Sequence, residues 1–147
     1  MAIVLLSCYS CNNFSTNVGL NIESYNFNRV DDTGEFALVP NDEFDLGEQV
    51  YMMFFNVSGF NTDESGKCWL EMDMEITDTK DGKLIFEKKE LLGENGHVEL
   101  SKGTAPNPQT SFTPPPDLPA GEYSFYVKIY DKVGNGHASV SKTFSYK

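Results

Sequence analysis

Three kinds of side chain in this sequence could do chemistry: carboxylates two residues apart, histidines in glycine-rich turns, and cysteines. Glu71, Asp73 and Glu75 alternate with apolar residues, so on a strand they form one stripe whose neighbours lie roughly 7 Å apart, twice the rise per residue. Calcium takes about six to eight oxygens converging on one point. One straight strand cannot supply them, and the stripe reads as a solvated face. Asp31-Asp32, and Asp78 with Asp81, fall in turns and are better placed for a cation, although neither has EF-hand spacing. His97 and His137 each follow a glycine, with no Gly-x-Ser-x-Gly elbow in the chain and no partner visible in sequence. They read as surface turn residues. The expectation is a protein without a catalytic centre, metal or cofactor.

Cys8, Cys11 and Cys68 are one ligand short of a four-ligand zinc cage unless a histidine joins them. Cys8-Tyr9-Ser10-Cys11 has redox-motif spacing, yet no βαβ pattern follows it, and no histidine follows Cys11 as haem attachment requires. The apolar residues 1–7 lead directly into Cys8, and Leu5-Leu6-Ser7-Cys8 resembles a bacterial or archaeal lipoprotein cleavage site. That resemblance implies lipidation at Cys8 and an extracytoplasmic setting: periplasm, cell surface or secretion. The stretch departs from the pattern in lacking a leading Lys or Arg and in having a short apolar run. The competing reading is a plain strand over residues 3–6, completing this domain's sheet or added to a neighbour's. With Cys8 lipidated, Cys11 could pair with Cys68 in an oxidising compartment, closing a loop worth about 4 kcal/mol in the chain-entropy model. A buried, unpaired Cys68 stands beside that pairing as an equal alternative.

The formal net charge of -11 argues against nucleic acid as a partner, because phosphate binding needs Lys and Arg to displace counterions. An anionic membrane surface is disfavoured for the same reason, leaving a lipid anchor at Cys8 as the route to a membrane. Aromatic residues are abundant, and Tyr25, Phe27, Tyr51, Phe112, Tyr126 and Tyr130 exceed what one sandwich interior obviously needs. Core filling and cross-strand pairing account for many of them. Phe112, Tyr126 and Tyr130 are the candidates for a binding surface, where aromatic side chains offer large contact area at low entropic cost.

At 147 residues the chain fits one domain that buries roughly 68–70% of its unfolded surface. Residues 1–17 read as an apolar segment and a polar spacer, and residues 18–147 as the folded body. Residues 49–57 are apolar on both faces and make the best central strand. Residues 69–77 alternate cleanly, a turn carrying Asp81-Gly82 follows, and residues 84–87 return as the partner. Residues 90–116 hold a weak strand at 98–100, but their glycines and prolines exclude a long regular element. From Tyr123 a strand with Phe125, Val127 and Ile129 on one face runs to Asp131, and a last strand covers 138–146.

Seven or eight strands at this spacing predict an all-β, antiparallel sandwich. Pro119-x-Gly121-x-Tyr123, the following Val127-x-Ile129-x-Asp131 and the closing strand resemble immunoglobulin-like and fibronectin-type-III-like modules of secreted and cell-surface proteins. The resemblance covers residues 18–147 and lacks the cysteine pair and buried tryptophan of antibody domains. It implies an immunoglobulin-like accessory domain, non-enzymatic, that binds a protein partner or self-assembles through an exposed aromatic face and the 90–116 loop. The alternatives are a carbohydrate-binding module, which requires about three aromatics aligned on one open face, and a proteinase-inhibitor-like sandwich.

Overall fold

In a computed structural model the chain is described over residues 13–100 and 105–147. Among the described residues, alternating apolar side chains and glycine-marked turns produce eleven strands in two layers. The larger sheet contains β1 (Phe14–Val18), β11 (His137–Tyr146), β10 (Gly121–Asp131), β6 (Lys67–Asp78) and β7 (Leu84–Lys88) in that spatial order. Two short pieces extend it: β4 (Glu43–Phe44) pairs in parallel with β11, and β8 (His97–Glu99) pairs with β6. The smaller sheet runs β3 (Phe36–Leu38), β2 (Asn21–Val30), β5 (Val50–Ser58), β9 (Gln109–Phe112). Its pairings are all antiparallel. This is the all-β sandwich of immunoglobulin-like class that the sequence predicts. β1, β4 and β9 are short; β1 is held by backbone pairing with its side chains exposed, while β4 and β9 also bury Phe44 and Phe112 in the core.

Both sheets turn their apolar residues inward. Val50, Met52 and Phe54 from β5 and Phe27 from β2 meet Met72, Met74 and Ile76 from β6 and Phe125, Val127 and Ile129 from β10, all buried. Phe27 lies at the hub of an aromatic group, 5.6 Å from the Phe144 ring, 5.9 Å from Phe125 and 6.1 Å from Phe44. Each such side chain removed from water stabilises the fold by about 1.5–3 kcal/mol. The Thr110 hydroxyl, buried among them, donates across the layers to the Met74 sulfur at 3.2 Å.

The corner before β10 is locked by Tyr123, whose hydroxyl donates to the Pro119 carbonyl at 2.6 Å. This is the tyrosine corner of immunoglobulin-like sandwiches. Two expected regions differ. The polar stretch assigned to a spacer contains β1, which pairs with β11 in register from Phe14 opposite Ser141 to Val18 opposite His137. Its five side chains are all exposed, so no hydrophobic pattern announces it. In the 90–116 loop, residues 106–112 line the edge of β5: Phe54 and Val57 donate to the Pro108 and Pro106 carbonyls, and β9 continues the ladder. Proline lacks only the donor half of such a pairing, and at an edge its carbonyl still accepts.

Candidate functional site

On β5 the residues between the buried ones, Tyr51, Met53 and Phe55, are half-buried on the outer side of the smaller sheet. Register sets their neighbours. Tyr51 lies between Asn28 and Ser111, Met53 between Asn26 and Gln109, and Phe55 beside Ser24. On β3, Phe36 and Leu38 complete the same face and are 45% and 65% exposed. The Phe36 and Tyr51 rings meet edge-on at 5.1 Å. The Tyr51 hydroxyl donates to Gln49 Oε1 at 3.0 Å, and Gln49 Nε2 donates to Ser111 Oγ at 3.1 Å. Asn28 Nδ2 donates to Asn26 Oδ1. The face is thus a row of aromatic and thioether side chains bordered by amides and hydroxyls already orientated by one another.

Charge is nearly absent from these four strands, which carry only Glu23 and Arg29. Arg29 is committed elsewhere: Nε lies 2.7 Å from Glu48 Oε1, and its guanidinium sits 5.6 Å from the buried Phe44 ring. Glu23 accepts from Asn56 at the Phe55 end. A strand with this composition offers stacking surface and neutral hydrogen-bonding groups, not proton transfer or metal ligation.

The predicted binding-surface residues are divided by the structure. Phe112 is 1% exposed and packs in the core, 5.8 Å from Phe86, because its place on β9 opposite Val50 turns it inward. Tyr126 and Tyr130 lie on the outer face of the larger sheet, among charges. The Tyr130 hydroxyl donates to Asp73 Oδ1 at 3.2 Å, and Lys128 Nζ sits 5.3 Å from its ring. Burial first, and the Asp73 carboxylate second, hold that phenol well above its ordinary range. Tyr25 and Phe27 point inward. Of the aromatics singled out from sequence, Tyr51 alone joins the open row, and Phe36, Met53 and Phe55 went unrecognised. Their strand is apolar on both faces, and its outer side is set by the register against Ser24, Asn26 and Asn28 of β2.

Other predicted groups have structural tasks. Glu71, expected in solvent, is fully buried, and its carboxylate accepts from the amides of Met72, Leu92 and Gly93 at 2.8–2.9 Å. The loop after β7 folds over the larger sheet and covers it. Asp31 accepts from the Thr33 hydroxyl and the Thr33 and Glu35 amides, and Asp78 and Asp81 accept from the Lys80 and Lys83 amides. These are turn caps. A cleft of about 360 Å³ beside them is lined by Asp78, Asp81, Asp117, Ile85, Pro119 and Tyr123.

His97 is not a lone turn residue. Its Nε2 lies 2.7 Å from Asp63 Oδ2, and its ring stacks on Trp69 at 4.7 Å, with Lys132 Nζ 4.9 Å from the Trp69 centroid. The bond from the Ser65 hydroxyl, and then that to His97, hold the Asp63 carboxyl well below its usual range. The pair ties the loop before β6 to β8. Cys68 is buried, and burial raises its thiol pKa. Its candidate partner Cys11 and the lipidation candidate Cys8 lie outside the described residues.

No protein-family model matches the chain, and no curated protein matches it. Among solved structures, the crystal structure of the C-terminal domain of wzt superposes with a TM-score of 0.57 at 15% sequence identity, covering 95% of this chain and 80% of that one. At that identity the likeness is one of fold.

Proposed function

We propose that this chain is a non-enzymatic binding module of the immunoglobulin-like class that holds a carbohydrate on the outer face of its smaller sheet. The observation that carries the reading is the alignment of Tyr51, Phe55 and Phe36 on one open, nearly uncharged face bordered by Asn26, Asn28, Gln49 and Ser111. Sugar rings present apolar C–H faces and a rim of hydroxyls. Aromatic rings receive the first, and amides, which both donate and accept, receive the second. The reading includes an extracytoplasmic setting, where polysaccharides are plentiful, with Cys8 as the attachment point.

Calorimetric titration with a panel of polysaccharides tests it. Tyr51→Ala and Phe55→Ala should each weaken binding about tenfold, the scale of an aromatic contact worth about 1–1.5 kcal/mol. Tyr126→Ala, on the opposite layer, should leave binding unchanged. Equal losses from Tyr126→Ala, or none from Tyr51→Ala and Phe55→Ala, would reject the face.

A second reading, a protein partner or second copy added at β1, is supported by one observation: all five of that edge strand's side chains are exposed and none is charged. A monomeric sedimentation profile up to millimolar concentration would count against self-assembly.

A further inference from the structure

We infer that the glycan held on this face is uncharged and lies lengthwise along β5, its successive sugars over Tyr51, Met53 and Phe55, while acidic glycans are turned away. The inference rests on the carbohydrate reading and adds to it a charge class and a direction. Direction follows from the strand. Tyr51, Met53 and Phe55 stand two residues apart on one side, so the row has steps of roughly 7 Å and a span of about 13 Å. That is the reach of a short oligosaccharide, longer than one ring. Its flanks carry Asn, Ser and Gln side chains, with Phe36 beside Tyr51 at one end and the 106–108 segment along the edge at the other.

The charge class follows from where the cations are. Arg29 is the single arginine of the chain, and it is spent on Glu48 and on the Glu43 carbonyl at 3.0 Å. The described lysines all lie on strands of the larger sheet or in the turns that adjoin them. What surrounds the aromatic row is acidic: Glu23 at one end, with Glu35, Asp31 and Asp32 near Phe36 in the β2–β3 turn. A uronic, sulfated or phosphorylated chain would meet repulsion and, among the described residues, no counter-charge. A neutral chain loses nothing here. It gains a pre-set surface, because the Tyr51–Gln49–Ser111 chain of hydrogen bonds fixes the Tyr51 ring at one end of the row before any ligand arrives.

The full chain is titrated with gluco-, manno-, galacto- and N-acetylglucosamine oligosaccharides from mono- to hexasaccharide, and with oligogalacturonates of matching length, at low and high salt. In at least one neutral series affinity should rise more than tenfold from the monosaccharide to about the tetrasaccharide and then level. It should change less than twofold with salt, and the matching oligogalacturonate should bind at least tenfold more weakly. Phe55→Ala should lower hexasaccharide affinity about tenfold, with an unchanged circular dichroism spectrum and unfolding midpoint showing that the variant is folded; undiminished hexasaccharide affinity would overturn the lengthwise arrangement. Salt-sensitive oligogalacturonate binding as tight as the neutral series would overturn the charge class and leave the carbohydrate reading standing. A monosaccharide bound as tightly as the tetrasaccharide would overturn the lengthwise arrangement. Absence of binding in every series would overturn this inference together with the reading beneath it.

Discussion

Single carboxylates set much of this fold's local order. Glu71 sits on an alternating stripe with Asp73 and Glu75, yet it alone is enclosed, because the segment after β7 turns back and points the amides of Leu92 and Gly93 at it. Removing the acceptor deprives the buried Met72 amide of it and unties the half-buried Leu92 and exposed Gly93 amides, at a combined cost of about 3 kcal/mol. Glu71→Ala should therefore destabilise the protein by about 3 kcal/mol in urea unfolding, with faster amide exchange at Leu92 and Gly93. Asp63 acts through pH instead. Its folded pKa is below the unfolded value of 3.8, so its contribution is complete above that value and is lost as pH falls toward the folded pKa. Asp63→Asn should flatten the acid limb of the stability curve below about pH 4 and leave its slope near neutrality unchanged, as followed by denaturation at stepped pH.

Strands whose order depends on side-chain alternation were legible in the sequence, and strands that depend on another strand's backbone were not. β6, β10 and β11 alternate, and the Asp81-Gly82 turn returns β7. β1 and β9 are set by the ladders of β11 and β5, which no local pattern encodes. The aromatic row suffered from the same blindness. Its strand reads as apolar on both sides, and only the register with Asn26 and Asn28 reveals which side is open. Register itself is corrected within β5, where Asn56 takes a φ of 51° and lets Val57 as well as Phe54 point inward. Just beyond, Gly59 has a φ of 101°, and a Cβ there would lie 2.2 Å from the Gly19 carbonyl oxygen. Gly59→Ala combines strain with a backbone clash and should cost about 2–4 kcal/mol, read as a lowered unfolding midpoint.

At the scale of the molecule, the two layers divide charge between them. The larger sheet carries carboxylates and lysines in quantity, while the smaller one is left almost neutral in a chain of net charge -11. The chain's course also separates its first and last described residues from that neutral layer. The first described strand and the last are hydrogen-bonded neighbours, and Asn13 accepts from the amide of Thr143. Both lie in the layer opposite the aromatic row. A linker, a fluorophore or a sensor surface joined ahead of Asn13 or behind Lys147 would consequently hold the domain by its back. Many copies displayed side by side in that way would present their rows outward together, and, on the proposed carbohydrate reading, a long polymer would bridge several of them and gain grip by avidity that no one copy supplies.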